Sequence, residues 1–462
     1  MTETIAVLDL GKTNSKFLII DRDGRVLHRA RQAPVWRREA GLVVLDDAAI
    51  EAWLRACLAE TARDLRVGGL TVSGHGCTFA LAKGQELLAP VLDYEEVPPA
   101  AVAAAIDPML PGYAETLTPH LPAGLSVGRQ LLWTQARDPG LLDRAEWILS
   151  YPQFWGWRLG GDAVGEVSYL GCHSHLWNPL AGDYSSLVTG MGWRAKMPPL
   201  ALAGAAIGRL PELGRGVAVP GGIMLHNGVH DSNAAFALHR AVAPEGFTLV
   251  STGTWVIIMN PACPVAAMDG TRDMVGNVDV TGQTVPTLRF MGGREFDVIS
   301  QGWRGPIPRA ALAEAVAAQA MALPAFAEAG PFPGRAGRLT DPALSGEARA
   351  AVAVLYVAMM TDLGLDLLCA RGPVVLDGGL VPTEGYAALM AQLRDGQPVL
   401  TSDEAEGSAK GAALLAYRAR GETLAPATLA PIAPLGIPGL DGYRQAWRAA
   451  ASSVSGDVAG KA

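Results

Sequence analysis

The chain has 462 residues, half of them hydrophobic and 18% charged, with a net charge of −8. At roughly 100–200 residues per domain, two or three domains with substantial cores are expected, and a disordered chain is excluded. The acidic balance argues against a broad nucleic-acid-binding face, although it leaves room for a local phosphate site.

The 54 glycines and 32 prolines show no collagen period. Five cysteines stand at Cys57, Cys77, Cys172, Cys263 and Cys369. Their odd count, without a CxxC pair, argues against a disulfide scaffold and a cysteine-rich zinc site. The first residues lack a basic region followed by an apolar one. No uncharged apolar run of about 20 residues suits a membrane. A reduced cytoplasmic protein is therefore expected, with no nucleic-acid or membrane partner.

The first elements read as a meander. Strands at 5–8 and 17–20 flank a turn at 11–15, and a second turn at 21–24 leads into another strand. Residues 46–65 have helical spacing, with Ile50, Leu54, Leu58 and Ala62 on one face. A short strand at 69–73 enters a Gly-His-Gly turn. Residues 98–122 suggest loops with a short helix, 130–133 and 141–159 suggest helices, and 176–199 looks irregular. A second strand–turn–strand unit spans 247–259 and repeats the logic of the opening. A long helix is expected over 351–369, a buried strand at 374–376, and further helices at 386–393 and 408–419. The chain thus reads as two α/β halves dividing near 238–246, with a frayed tail.

Several motifs are set aside. No GxxxxGK[ST], GxSxG or HExxH occurs. Residues 190–195 fit GxGxxA, but no clean strand precedes them and Pro198 and Pro199 block a continuing helix. His173 and His175 have metal-like spacing without carboxylate partners, so a core or substrate-contact role is favoured over a metal site.

Four elements carry chemistry. Asp9 ends a strand, and Gly11, Lys12, Thr13, Asn14, Ser15 and Lys16 follow in a turn. Such a turn can wrap phosphate oxygens, with Lys12 or Lys16 neutralising them and Asp9 holding Mg²⁺. A polar hairpin with a solvated lysine is the plainer alternative. Ser251, Thr252, Gly253 and Thr254 offer hydroxyls and backbone to phosphate, or form an ordinary β-turn. Asp231 precedes a small-residue helix, either as its N-cap or as a general base for a sugar hydroxyl. Asp377 runs into Gly378 and Gly379, which let backbone approach a flat nucleotide or simply make a left-handed turn.

This ordered set resembles the FGGY family of carbohydrate kinases, within the actin, hexokinase and heat-shock ATPase superfamily. Asp9-x-Gly11-x-Thr13 looks like the first phosphate motif and residues 251–254 like the second. Gly228-x-His230-Asp231 looks like the catalytic block, and is most similar to the rhamnulokinase and fuculokinase branch. Gly378-Gly379 with Glu404-Ala405, Gly407 and Gly411-Ala412-Ala413 resembles the adenosine region. Lys12 and Leu380 depart from the pattern, since the family usually has a small residue at each position.

The resemblance implies two ribonuclease-H-like α/β domains with a cleft between them. Residues 1–240 would bind the sugar and 241–450 ATP, leaving 451–462 as a disordered tail. It implies Mg-ATP and Asp231 as the base, with Asp9 and Asp231 near the metal. It nominates His75, Gly76, Cys77, Thr78, Asp93, His173 and His230 as sugar contacts. The expected substrate is a free ketose, either a deoxy-hexulose such as L-rhamnulose or L-fuculose or a pentulose, and a homodimer is a candidate assembly. Two rival classes stand beside this reading. One is a metal-dependent hydrolase built on His173, His175, His230 and Asp231. The other is a catalytically silent sugar or nucleotide sensor.

Overall fold

The structure, a computed structural model, describes residues 3–61, 64–212, 218–383, 385–402, 404 and 406–453. The chain divides into two compact units. Unit 1 holds Met1–Ala241, Gly276–Thr284 and Glu406–Pro426; unit 2 holds Val242–Val275, Val285–Ala405 and Ala427–Ala462. The division is therefore not one cut in the chain, because two later segments return to unit 1.

Unit 1 is built on a mixed sheet. Its strands are β1 (Thr4–Leu10), β2 (Ser15–Ile20), β3 (Val26–Gln32), β4 (Val67–Gly74), β5 (Ala206–Glu212), β6 (Ala218–His226) and β7 (Val229–His230). They lie in the order β5-β6-β4-β1-β2-β3, with β7 beside the end of β4. Every residue of β1 is buried, as expected for a central strand covered on both faces. It runs antiparallel to β2 and parallel to β4. That register sets Asp9 between Lys16 and Ser73 at the carboxyl end of the strand, where α/β sheets place ligands. The helix Asp231–Arg240 packs against Gly407–Ala419, and a Cβ on Gly411 would sit 1.9 Å from the Ala234 carbonyl oxygen.

The second sheet repeats the plan. Its strands are β8 (Thr248–Thr252), β9 (Val256–Met259), β10 (Met274–Val278), β11 (Thr284–Phe290), β12 (Val374–Gly378), β13 (Val399–Ser402) and β14 (Leu429–Pro431). Their order is β10-β11-β9-β8-β12-β13-β14. Here β8 runs antiparallel to β9 and parallel to β12, as β1 does with β2 and β4. The helix Gly346–Leu367 is long and apolar enough to cross a membrane, but most of it is buried in the protein core. Asp362 on it is fully buried and meets Arg394, Arg444 and Arg448.

Some expectations change. Residues 141–159 are not one helix: Pro139–Arg144 is helical, Trp147–Ser150 is a strand, and Tyr151–Arg158 is helical again. The strand forms because it pairs with Phe79–Lys83, a partner far away in sequence. The predicted helix at 46–65 runs Asp47–Thr61 and buries Ile50, Leu54 and Leu58, while Ala62 lies outside the described residues. The expected tail begins inside a helix, Leu440–Ser453, which buries Ala451. Residues 454–462 lie outside the described residues.

Candidate active site

Asp9 is buried at the end of β1. Burial pushes its carboxyl up from 3.8 to about 6; Asp231 and Glu406 push the same way, while Lys16 and Ser73 oppose them. Lys16 Nζ lies 3.8 Å from Asp9 Oδ2 and 2.6 Å from Glu406 Oε2. Glu406 also meets Arg29 at 3.2 Å and Arg31 at 3.4 Å. Lys16, expected to neutralise phosphate, is thus paired to a buried carboxylate. Gly11, Thr13 and Asn14 form the turn, closed by Gly11 N–H donating to Asn14 O at 3.0 Å.

Asp231 is the first residue of its helix rather than the cap, which is His230. Its Oδ1 accepts from Ser232 N–H at 2.6 Å, and no hydrogen bond to Oδ2 is seen among the described residues. His230 Nε2 lies 3.5 Å from Asp231 Oδ1 and 3.4 Å from Cys172 Sγ. Burial holds the His230 ring below its ordinary pKa, against the opposing charge of Asp231. Gly228 is required by space, since a Cβ there would lie 2.6 Å from Pro152 Cβ and 2.7 Å from Val72 O.

The turn after β4 meets this corner. A Cβ on Gly76 would sit 3.0 Å from His230 Nε2 and 3.4 Å from His173 Cε1. Cys77 Sγ lies 3.2 Å from His173 Nδ1, and the Cys77 carbonyl accepts from Gln130. Thr78 is clamped by Tyr169, whose hydroxyl donates to Thr78 O at 2.7 Å and accepts from Thr78 N–H at 2.9 Å. His75 Nδ1 lies 2.9 Å from Gly76 O, so this nitrogen carries the proton and Nε2 is an acceptor. The His75 ring packs on Tyr151 and Tyr94, with centroids 4.7 and 5.1 Å away. Burial lowers its pKa, and the charges of Asp231, Lys12 and His230 all act on it. Lys12, expected at the phosphates, is bonded to Asp93. Unit 1 therefore gathers Asp9, Lys12, His75, Cys77, Asp93, His173, His230 and Asp231 into one electrostatic neighbourhood.

His173 and His175 are not on a strand; both have left-handed backbone, with φ of 39° and 60°. His175 Nδ1 is bonded to Ser126 Oγ at 2.7 Å, and burial lowers its pKa to about 4. Among the described residues no group of three or more His, Cys, Asp or Glu side chains converges to hold a metal. The metal cluster of His173, His175, His230 and Asp231 that the hydrolase reading called for is not seen among the described residues, and His175 is bonded to Ser126 instead. Asp9 does fit a cation held mainly by phosphate oxygens and water, as a buried carboxylate with further acidic groups nearby.

Unit 2 carries the second phosphate turn. The Thr252 hydroxyl donates to Asp377 O at 2.7 Å and accepts from Leu380 N–H at 3.0 Å. It staples β8 to the glycine turn after β12, a structural task beside the expected phosphate contact. Gly378 has φ 94°, and a Cβ there would lie 2.0 Å from Thr252 O, so only glycine fits. A cavity of about 900 Å³ opens beside this staple, lined among others by Gly253, Thr254, Arg294, Trp303, Gly379 and Leu380. That volume suits a ligand as large as a nucleotide. Leu380, one of the departures from the family pattern, thus borders the cavity. The adenosine block splits: Glu404 is in unit 2, Glu406 and the helix Gly407–Ala419 are in unit 1, and Ala405 lies outside the described residues.

The sequence alone did not point to Tyr151, Tyr169 or Gln130 as parts of this corner. The only signal at these positions was aromatic or polar residue type, without a motif.

Residues 244–425 match the family described as carbohydrate kinase FGGY, C-terminal domain. A carbohydrate kinase from Novosphingobium aromaticivorans is 34% identical in sequence. Its crystal structure superposes with a TM-score of 0.86 over 98% of this chain and 99% of that one. The chain belongs to the FGGY carbohydrate kinases. This FGGY kinase is also 30% identical over 274 residues to an L-fuculokinase from Salmonella typhi, a match spanning 56% of either chain. It therefore spans just over half the length of the curated relatives it matches. A xylulose kinase from Rhodospirillum rubrum, 18% identical with a TM-score of 0.76 over 97% of this chain and 98% of that one, shares the two-domain fold.

Proposed function

We propose that this FGGY kinase transfers the γ-phosphoryl group of ATP to a hydroxyl of a free ketose, a deoxy-hexulose such as L-fuculose or L-rhamnulose or a pentulose. The observation that carries this reading is the unit 1 corner. There Asp231, with one carboxylate oxygen uncommitted among the described residues, stands close enough to raise the pKa of Asp9. Sugar-compatible polar groups on His75 and Asp93 share the same neighbourhood.

Phosphoryl transfer needs positioned phosphates, charge neutralisation and an acceptor for the hydroxyl proton. Asp231 takes that proton as the sugar oxygen forms its bond to phosphorus. The bond from γ-phosphorus to the bridging oxygen breaks, and ADP leaves. Asp9 is the residue that would hold Mg²⁺; when bound, the ion screens the phosphate charge. In unit 2 the turn at 251–254 and the glycines at 378 and 379 would hold the nucleotide; in unit 1 the backbone of the turn at Gly11, Thr13 and Asn14 offers contacts to phosphate oxygens. The names of the L-fuculokinase relatives support a deoxy-ketose as first choice.

The test is a coupled ADP-release screen of L-fuculose, L-rhamnulose, D-xylulose and D-ribulose, with aldoses and polyols as contrasts. ADP release dependent on a ketose and on Mg²⁺ is expected. Turnover without ATP, or no ADP release with any sugar, would overturn the reading.

A further inference from the structure

Lys12 is the residue whose observed place departs most from its expected one. Its ammonium is bonded to Asp93 and lies 3.5 Å from Glu95 Oε2. It also sits 4.3 Å from the Trp36 ring centroid and 4.8 Å from that of Tyr94. Its side chain stays 20% exposed. An ammonium has three hydrogens; two carboxylates take two of them, and the third faces only the Trp36 and Tyr94 rings, weak partners that a ligand oxygen can replace. Asp93 Oδ1 accepts from Lys12 and from Glu95 N–H at 2.9 Å. Its Oδ2 has no hydrogen bond among the described residues. A charged donor and a charged acceptor therefore stand side by side next to two aromatic rings.

We propose that Lys12 and Asp93 form a donor–acceptor pair that selects neutral substrates with adjacent hydroxyls and disfavours sugar acids. This rests on the sugar-kinase reading and names a specificity element within it. One hydroxyl oxygen accepts from Lys12 while its neighbour donates to Asp93, and both contacts are charge-assisted. The apolar C–H face of the sugar lies against the part of the Trp36 or Tyr94 ring that the ammonium leaves uncovered. Charge sets the discrimination: Lys12 with Asp93 and Glu95 sums to −1 (+1 −1 −1), so a carboxylate ligand meets like charge.

The experiment compares wild type, Lys12→Met, Lys12→Arg and Asp93→Asn. Steady-state kinetics use the best ketose of the screen, and thermal shifts use that ketose alone, its matching aldonate alone and ADP alone. Lys12→Met is expected to raise the ketose KM at least tenfold, with the ATP KM moving less than twofold. Lys12→Arg restores part of the ketose affinity. Asp93→Asn narrows the preference for ketose over aldonate at least fivefold. A raised ATP KM with an unchanged ketose KM in Lys12→Met would assign Lys12 to the phosphates and overturn the proposal. If Lys12→Met does not fold, Lys12→Arg and Asp93→Asn decide on the same readouts. A wild type shifted by ketose without turnover sinks the kinase reading alone, and the shifts then judge Lys12. A wild type neither shifted nor active with any sugar overturns both.

Discussion

Asp9 shows how a single residue trades stability for a site. Its carboxyl is buried, and its pKa stands about two units above 3.8, at about 6. Each unit corresponds to about 1.4 kcal/mol, so keeping Asp9 ionised costs on the order of 3 kcal/mol. Asp9→Asn removes that cost. The variant is expected to melt at a higher temperature than wild type at pH 8 while losing ketose-dependent ADP release. A lower melting temperature would show that the carboxylate is held by compensating contacts. Lys16 and Glu406 extend the same lesson, because a lysine read as a phosphate ligand is paired across 390 residues of sequence. Only the fold brings them together, which is why the spacing around Lys16 carried no trace of its partner. Asp9 and Asp231 could be singled out in the sequence because each sits beside a local signal, and the structure does place one at a strand end and the other at a helix start.

At the scale of elements, the two strand–turn–strand units were readable because their pattern is local. Apolar strands flank a small-residue turn, and the structure adds the same parallel neighbour to each. The strand Trp147–Ser150 was not readable, since its pairing with Phe79–Lys83 overrides a sequence that looked helical. The glycine turn after β12 is the element most exposed to a single change. Gly378→Ala would drive a Cβ to 2.0 Å from Thr252 O in a backbone with φ 94°. Overpacking of this kind costs about 1–3 kcal/mol, and here it also disturbs the Thr252 staple beside the cavity. The expected outcome is an ATP KM raised severalfold with the ketose KM little changed. An ATP KM equal to wild type would separate this turn from nucleotide binding.

For the whole molecule, three buried carboxyl groups shape the response to pH. Burial pushes Asp9 up to about 6, and Glu166 and Glu295 up to about 7. The folded state holds these protons to higher pH than the unfolded chain, which releases them near 4. Their stabilising contribution is therefore complete below about pH 4 and lost as pH rises through about 6 to 7. Asp366 and Glu51 act oppositely. Burial raises them, but Arg394 and Arg448, and Arg158 and Arg55, outweigh it and lower both. Their contribution is lost as pH falls below about 4. The buried histidines oppose these carboxyls: burial holds His75, His175, His226 and His230 below the ordinary imidazole pKa, so their contribution is complete above about pH 6.5 and lost as pH falls. Glu295→Gln removes one raised carboxyl, so from about pH 5 to pH 8 its melting temperature should rise more, or fall less, than that of wild type. A Glu295→Gln melting temperature with the same pH dependence as wild type would contradict the assignment. The acidic whole-chain charge is compatible with the proposed function, in which anion binding would rest on local turns and a metal ion rather than on a broad basic face.

The central claim is that Asp231 accepts the hydroxyl proton, and single-turnover transfer of labelled γ-phosphate from ATP to the ketose tests it most directly. Wild type should label the sugar, and Asp231→Asn should slow transfer at least 100-fold while retaining ketose-induced and ADP-induced thermal shifts. Transfer by Asp231→Asn within a fewfold of wild type would contradict the account.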